Sequence, residues 1–318
     1  MLSWLAKKIV GSAPTAYLSH PDCSLHDMGS GHPESPDRLA AIQDRLIASG
    51  VWDHLLHETA PCASHEQLAL VHPSQYIEAL ERLSPAGGTV HLDPDTAMNP
   101  HTLQAAFRAA GAVVRATDMV LDGDATNAFC AVRPPGHHAE SRRAMGFCFF
   151  NNLGVGVAHA LSRGIARVAV ADFDVHHGNG TEELFQDNPR VMMVSIFQHP
   201  FYPYSGERPL GPNMHNVPLK AGSRGDELRN AVQTHWLPAL AAFQPEMIFI
   251  SAGFDAHRED EMAGLGLVED DYAWVTERLM DVAAEHAQGR IVSVLEGGYA
   301  LSALGRSATA HIRALAGL

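Results

Sequence analysis

The 318-residue sequence is short of positive charge and of long apolar runs. Twenty-two Lys and Arg face 36 Asp and Glu, a formal net charge of −14, and no basic run interrupts the chain. Nucleic-acid backbones are held by clustered Lys and Arg, so no nucleic-acid partner is expected. No window approaches the roughly 20 apolar residues that a membrane-spanning helix needs, so no membrane role is expected either. Cysteine is scarce. Cys23, Cys62, Cys130 and Cys148 form no CxxC pair and no disulfide framework, which points to a reducing cytoplasm with the thiols packed as small hydrophobes. The opening MLSWLAKKIVGSAPTA places its lysines after the first apolar residues, with only two apolar residues following, so it is not expected to act as an export signal. Fixed-period repeats, low-complexity tracts and linkers are also missing, and one domain over 1–318 is the expectation.

What the chain does have is a 46% hydrophobic composition, enough for a sizeable core, and a recurring pattern. Apolar runs stand at 127–132, 167–171, 191–196, 247–251 and 291–295. Helical periodicity occupies 101–123, 153–164, 226–243 and 269–289. Strands alternating with helices predict an α/β fold with a parallel sheet covered on both faces. Each apolar run is followed at once by polar residues: RPPGHH, DFDVHHGN, FQH, AGFDAH and EGGY. Ligands of such sheets bind at the carboxyl ends of the strands, so these segments are expected to share one mouth.

The densest chemistry lies in ADFDVHHGNGT, 171–181. In an extended segment Asp172, Asp174 and His176 would point one way and Phe173, Val175 and His177 the other. Asp174 and His176 can then share a metal, and zinc accepts both donor types with three protein ligands and an open position. A solvated surface turn is the plainer reading of this pair taken alone. Asp255 in SAGFDAH is the best-placed third ligand, with His257 as its competitor. His137 and His138 form a tandem presented by a rigid Pro-Gly turn, plainly a hydrogen-bonding turn and chemically a proton carrier beside a charged neighbour. Asp172 and Asn179 are the expected partners of the two rings, a carboxylate for one and an amide for the other, which would drive their pKa values apart. Tyr299 follows Gly297 and Gly298, whose flexibility would let the phenol swing over the metal; the plainer reading is a capping aromatic. Phe147 and Tyr202 are loop aromatics, core by habit and channel walls by position. The 20 histidines decide nothing by number.

In order, the chain carries GHPESPDR (31–38), RPPGHHAE, GFCFFNN, DFDVHHGNGT, SAGFDAH and LEGGY. Together these motifs resemble the histone deacetylase superfamily, specifically its class II branch and bacterial deacetylase-like relatives, over nearly the whole length. The resemblance implies an arginase/deacetylase fold, with a central eight-stranded parallel sheet between helices, and a zinc-dependent amidohydrolase with one zinc per chain. It implies Asp174, His176 and Asp255 as zinc ligands, His138 as general base and then acid, His137 as electrostatic support, and Tyr299 polarising the acyl carbonyl. Gly146, Phe147 and Tyr202 would border the acyl tunnel, and Arg38 would lie near its interior end. Asp172 and Ser195, with backbone carbonyls at Asp174 and His176, match a structural potassium site; Phe185, Asn188 and Val191 match a second. The implied substrate is an acylated lysine or a similar small amide, attacked directly by water. An acetylpolyamine amidohydrolase is the nearest alternative, with Met262 where polyamine-preferring members tend to carry an acid and Glu259, Asp260 and Glu261 beside it. A two-manganese ureohydrolase and a non-catalytic acyl-binding protein are weaker alternatives. Loops 20–38 and 84–100 could cover a neighbour's site in a homo-oligomer.

Overall fold

The computed structural model describes residues 13–318; the opening segment weighed as an export signal lies mostly outside them, in residues 1–12. Strands β1 (Thr15–Ser19) and β2 (Leu56–Thr59) precede a short antiparallel ribbon of β3 (Val90–His91) and β4 (Ala97–Met98). Then come β5 (Asn127–Cys130), β6 (Val168–Asp172), β7 (Val191–Gln198), β8 (Met214–Leu219), β9 (Met247–Ala252) and β10 (Ile291–Leu295). All but the ribbon join one eight-stranded sheet, ordered β2-β1-β5-β10-β9-β6-β7-β8, and every pairing in it is parallel. The predicted α/β class and eight-stranded parallel sheet are therefore what the chain forms.

The five expected runs are all strands, with ends displaced by up to two residues. Three strands of the eight-stranded sheet escaped the pattern for physical reasons. β2 (LHET) is an edge strand with alternating half-buried and exposed residues, so it has no apolar run. The other edge strand, β8 (MHNVPL), carries Pro218, which only an edge tolerates. β1 (TAYLS) is buried but short and led by a threonine. The central strands β5, β6, β9 and β10 are buried at every residue, as strands covered on both faces must be.

Helices flank the sheet in two groups. Thr102–Asp122 and Asn152–Ser162 pack together, and Glu269–His286 packs with Leu301–Leu315, which in turn meets Asp37–Ala48. Continuous helix was expected over 226–243. Instead Gly225–Ala231 passes through a wide π turn, Val232–Trp236, into Leu237–Phe243. Pro238 has no N–H to donate back to the turn before it, which accounts for the widened ladder there.

The sheet order is what makes a site. β5, β10, β9 and β6 lie side by side, so RPPGHH, EGGY, GFDAH and DFDVHHGN, which follow them, emerge next to one another.

Candidate metal centre and catalytic site

Asp174, His176 and Asp255 are all buried, and one donor atom from each lies within 4.8 Å of the others. His176 Nδ1 is 3.1 Å from Asp174 Oδ1 and 3.2 Å from Asp255 Oδ2. Asp255 Oδ1 accepts the Val175 amide at 3.0 Å, whereas Oδ2 is buried with no hydrogen bond of acceptable geometry. A buried acceptor left so is costly, by about 1–3 kcal/mol or more for a charged group. Two carboxylates and an imidazole converging on one point, with an orphaned oxygen among them, fit a zinc ion's donor preferences. Burial lowers the affinity of His176 for a proton, but Asp174 and Asp255 outweigh it and raise its pKa to about 9. Metal binding at this point must displace that proton. His257, the competing ligand, lies outside the group; its Nδ1 accepts the Glu259 amide at 3.1 Å.

Asp174 and His176 do not meet through strand alternation, as the sequence pattern predicted. β6 ends at Asp172. Beyond it Asp172 Oδ1 accepts the Asp174 amide at 3.1 Å and Asp174 Oδ1 accepts the His176 amide at 2.8 Å, so the chain winds through successive Asx turns. Gly253 and Gly297 let two other segments close on the centre: a Cβ on Gly253 would lie 2.0 Å from Asp174 Oδ2, and one on Gly297 would lie 2.0 Å from Asp255 Oδ2.

The tandem histidines stand over this group, with ring centroids 4.0 Å apart. His137 Nδ1 lies 3.1 Å from Asp172 Oδ2, and His138 Nδ1 lies 2.8 Å from Asn179 Oδ1. Asn179 Nδ2 donates to Glu140 Oε1 at 2.9 Å, which fixes the amide with its oxygen toward His138. His138 must then carry its proton on Nδ1, leaving Nε2 free to accept one. Burial opposes charge on both rings. For His137 the nearby Asp174 and Asp172 carboxylates prevail and raise its pKa to about 10, whereas for His138 burial and the neighbouring His137 and His176 charges lower it well below 6.5. One ring is held charged and the other neutral.

Tyr299 is not on a swinging segment. Asp260 Oδ2 accepts the Tyr299 and Ala300 amides at 2.6 and 3.0 Å, and Asp174 Oδ2 accepts the Gly297 amide at 2.8 Å. Arg38 donates to the carbonyls of Gly298 at 2.7 Å and Glu296 at 2.5 Å, with its guanidinium 4.9 Å from the Tyr299 ring centroid. The two glycines serve close approach rather than mobility. Burial, then the Asp255 charge, pushes the phenol well above 10, so it stays a donor. Arg38 itself is fully buried and ion-paired to Glu34 at 3.0 Å.

A pocket of 180 Å³ leads to these groups, lined by Gly146, Phe147, Tyr202, Met262, His138, His176 and Tyr299, with Asp95 and Phe201 in addition. Larger hollows of 560 and 530 Å³ exist, and neither is walled by these residues. Asp95 and Phe201 were missed in the sequence because a lone acid after LDP and an aromatic beside Tyr202 carry no spacing signal. Loop 84–100 reaches its own chain's mouth, with Thr96 Oγ1 accepting the Phe147 amide at 3.1 Å. Glu34, in GHPES, was also missed: it binds Arg133 of RPPGHH at 2.5 and 2.7 Å, both wholly buried, and so ties the first motif to the histidine turn. Glu296 likewise accepts the Gly136 and His137 amides at 2.7 and 3.0 Å.

Of the two potassium sets, Asp172 and Ser195 face each other across β6 and β7, an oxygen-rich pair suited to a hard cation. The second set does not fit. Phe185, Asn188 and Val191 do converge, but the atom at the focus of their carbonyls is the side-chain nitrogen of Asn213.

Comparison with known proteins follows the same residues. A sequence model described as the histone deacetylase domain matches residues 32–315. A histone deacetylase-like amidohydrolase of Pseudomonas aeruginosa is 41% identical over 278 residues, 85% of this chain and 73% of the relative. A probable deacetylase of Archaeoglobus fulgidus is 36% identical over 296 residues, 90% of this chain and 82% of the relative. The crystal structure of the HDA15 HD domain superposes with a TM-score of 0.91 at 35% identity, covering 96% of this chain and 89% of that one.

Proposed function

This chain belongs to the histone deacetylase family and is a hydrolase acting on amides, and from that premise we propose that it is a zinc-dependent deacetylase of acylated lysine side chains or similar small amides. The observation that carries the reading is the convergence of Asp174, His176 and Asp255 around an unpartnered carboxylate oxygen at the foot of a narrow pocket. Residues 1–318 act as one catalytic domain in this reading.

Asp174, His176 and Asp255 hold the zinc, which when bound supplies Lewis acidity toward the acyl oxygen and the attacking water. The chain's own residues do the rest. His138, neutral and with Nε2 unprotonated, takes the proton of the water and passes it to the leaving amine. His137, kept charged by Asp172 and Asp174, stabilises the negative charge that develops beside it. Tyr299 donates its phenolic hydrogen to the acyl oxygen, and Arg38, Asp260 and Asp174 hold its segment still so that no reorganisation accompanies the reaction. Gly146, Phe147, Phe201, Tyr202 and Met262 wall an extended aliphatic chain and exclude water from it. A potassium ion at Asp172 and Ser195 would brace the turn that carries Asp174.

An acyl-lysine is favoured over an acetylated polyamine by the mouth. Met262 is apolar, Asp260 is turned inward on the Tyr299 segment, and Glu259 pairs with Arg306 at 2.9 Å, so two of the three neighbouring acids are already engaged. Asp95 remains as an exposed carboxylate on the rim. Metal-depleted protein, with and without added zinc, should be assayed side by side on an acetyl-lysine peptide and an acetylated polyamine. Zinc-restored turnover with the peptide faster is expected. A faster polyamine would reassign the substrate, and no restoration by zinc would overturn the mechanism.

A further inference from the structure

The helix Asn179–Phe185 ends in a carbonyl, that of Phe185, which accepts the Asn188 amide at 3.0 Å and aims at the same point as the carbonyls of Asn188, itself accepting the Val191 amide at 3.0 Å, and Val191. Asn213 Nδ2 sits at that point, 2.9 Å from Phe185 O, 3.1 Å from Asn188 O and 2.7 Å from Val191 O. Its own Oδ1 is buried with no partner. An amide nitrogen has two hydrogens for these three acceptors, so one is shared. With the amide reversed, its oxygen would face three carbonyl oxygens, which is unfavourable unless a cation lies among them; in the orientation found, the nitrogen meets all three.

The backbone delivers Asn213 to this place. Its carbonyl accepts the Met193 amide at 3.0 Å, and the next residue, Met214, is in register with Met193 in the β7–β8 pair. That fixes the residue at the head of an edge strand, one short side chain away from the helix end. Carbonyls at a helix C-terminus carry partial negative charge, which either a cation or an N–H donor can satisfy.

We propose that the Asn213 amide stands in for the monovalent cation at this point, so that the chain binds no potassium between Phe185, Asn188 and Val191. The assignment concerns an ion and its cage and is independent of the deacetylase reading.

Crystals of the wild-type protein, Asn213→Asp and Asn213→Ala soaked in thallium(I), which replaces potassium and scatters anomalously, test it. Asn213→Asp keeps the size of the side chain and removes the donor; Asn213→Ala opens the space. The expected result is no thallium peak among the three carbonyls in the wild type and a peak there in at least one variant. A wild-type peak, with the Asn213 side chain swung away, would overturn the proposal. So would the lack of a peak in both variants, because the carbonyls would then have no cation for the amide to replace. If neither variant crystallises, melting in potassium chloride against choline chloride at equal ionic strength decides: Asn213→Asp should lose more on withdrawal of potassium than the wild type, and equal losses would count against the substitution.

Discussion

At two places among the described residues three side chains or carbonyls are drawn around one point, and the two close differently. At Asp174, His176 and Asp255 the oxygens belong to buried carboxylates, and one of them makes no hydrogen bond of acceptable geometry. At Phe185, Asn188 and Val191 they belong to neutral carbonyls, and a side-chain nitrogen lies within hydrogen-bond distance of all three, two of which also accept backbone amides. Convergence of oxygen is therefore not by itself a metal site. Net charge sets how strongly a cation is called for, and a neighbouring donor sets whether it is still needed.

The sharpest break in this contrast is Asp255→Ala. It removes the orphaned oxygen, and zinc-restored hydrolysis should fall by more than the roughly 10–100-fold that partners outside the ligand set command. Elemental analysis alongside the assay should show zinc lost with the activity; full zinc with full turnover would mean Oδ2 is not a ligand. Tyr299→Phe comes next. It leaves the charged centre intact and removes one donor aimed at the acyl oxygen, with an expected loss of about 10²–10³ in kcat. Equal rates for variant and wild type would dismiss the phenol from the chemistry.

Asp260→Ala probes how that phenol is held. A misplacement of about 1 Å can cost about 10²-fold, so kcat should drop by up to that factor with KM little changed. In a Tyr299→Phe background the same change should have almost no effect, since its target is gone; additive losses would mark Asp260 as merely structural.

Another buried charged cluster, Glu34 with Arg133, Arg38 and His26, needs no metal at all because its charges pair within the chain. Glu34→Ala should destabilise by roughly 3–5 kcal/mol, measured by denaturant melting, because it strands two buried guanidinium groups. Burial would raise the Glu34 pKa, but Arg133, His26 and Arg38 overcome it and hold the carboxyl well below 4.5. Its folded-state value is thus depressed, so its stabilisation is complete above about 4.5 and is lost as pH falls toward the folded value. Glu34→Gln should lose that part of the acid dependence, and an unchanged acid limb would assign it to other carboxylates. The smallest effect is expected of Asn213→Asp on turnover in potassium: the residue lies apart from the pocket, and rates should match the wild type when compared directly.

Where the sequence was legible, the information was local. Five central strands showed themselves because burial on both faces demands continuous apolar runs, and the tandem histidines, the Asp-x-His pair and the EGGY turn each sit at a strand end. The edge strands β2 and β8 did not show themselves, because a half-exposed strand carries polar residues and even a proline. Glu34, Asp95 and Phe201 were silent as functional residues, and Asp260 was read only as an acid of the rim, for another reason: each works through a partner 39 to 99 positions away or through a shared cavity wall, and single-residue types leave no trace of that.

The amino-acid order thus decided which side chains could do chemistry and that they would stand at the carboxyl ends of parallel strands. Only the tertiary structure decided their use. Sheet order set β5, β10, β9 and β6 side by side, and Asx turns rather than strand alternation brought Asp174 to His176. A carboxylate and an amide were assigned to the two imidazoles, holding one charged and one neutral. At the second oxygen cage the fold placed an amide nitrogen at the focus. Charge state and ligand choice depend on the field and the donors within a few ångströms, and those are set by what the fold packs together.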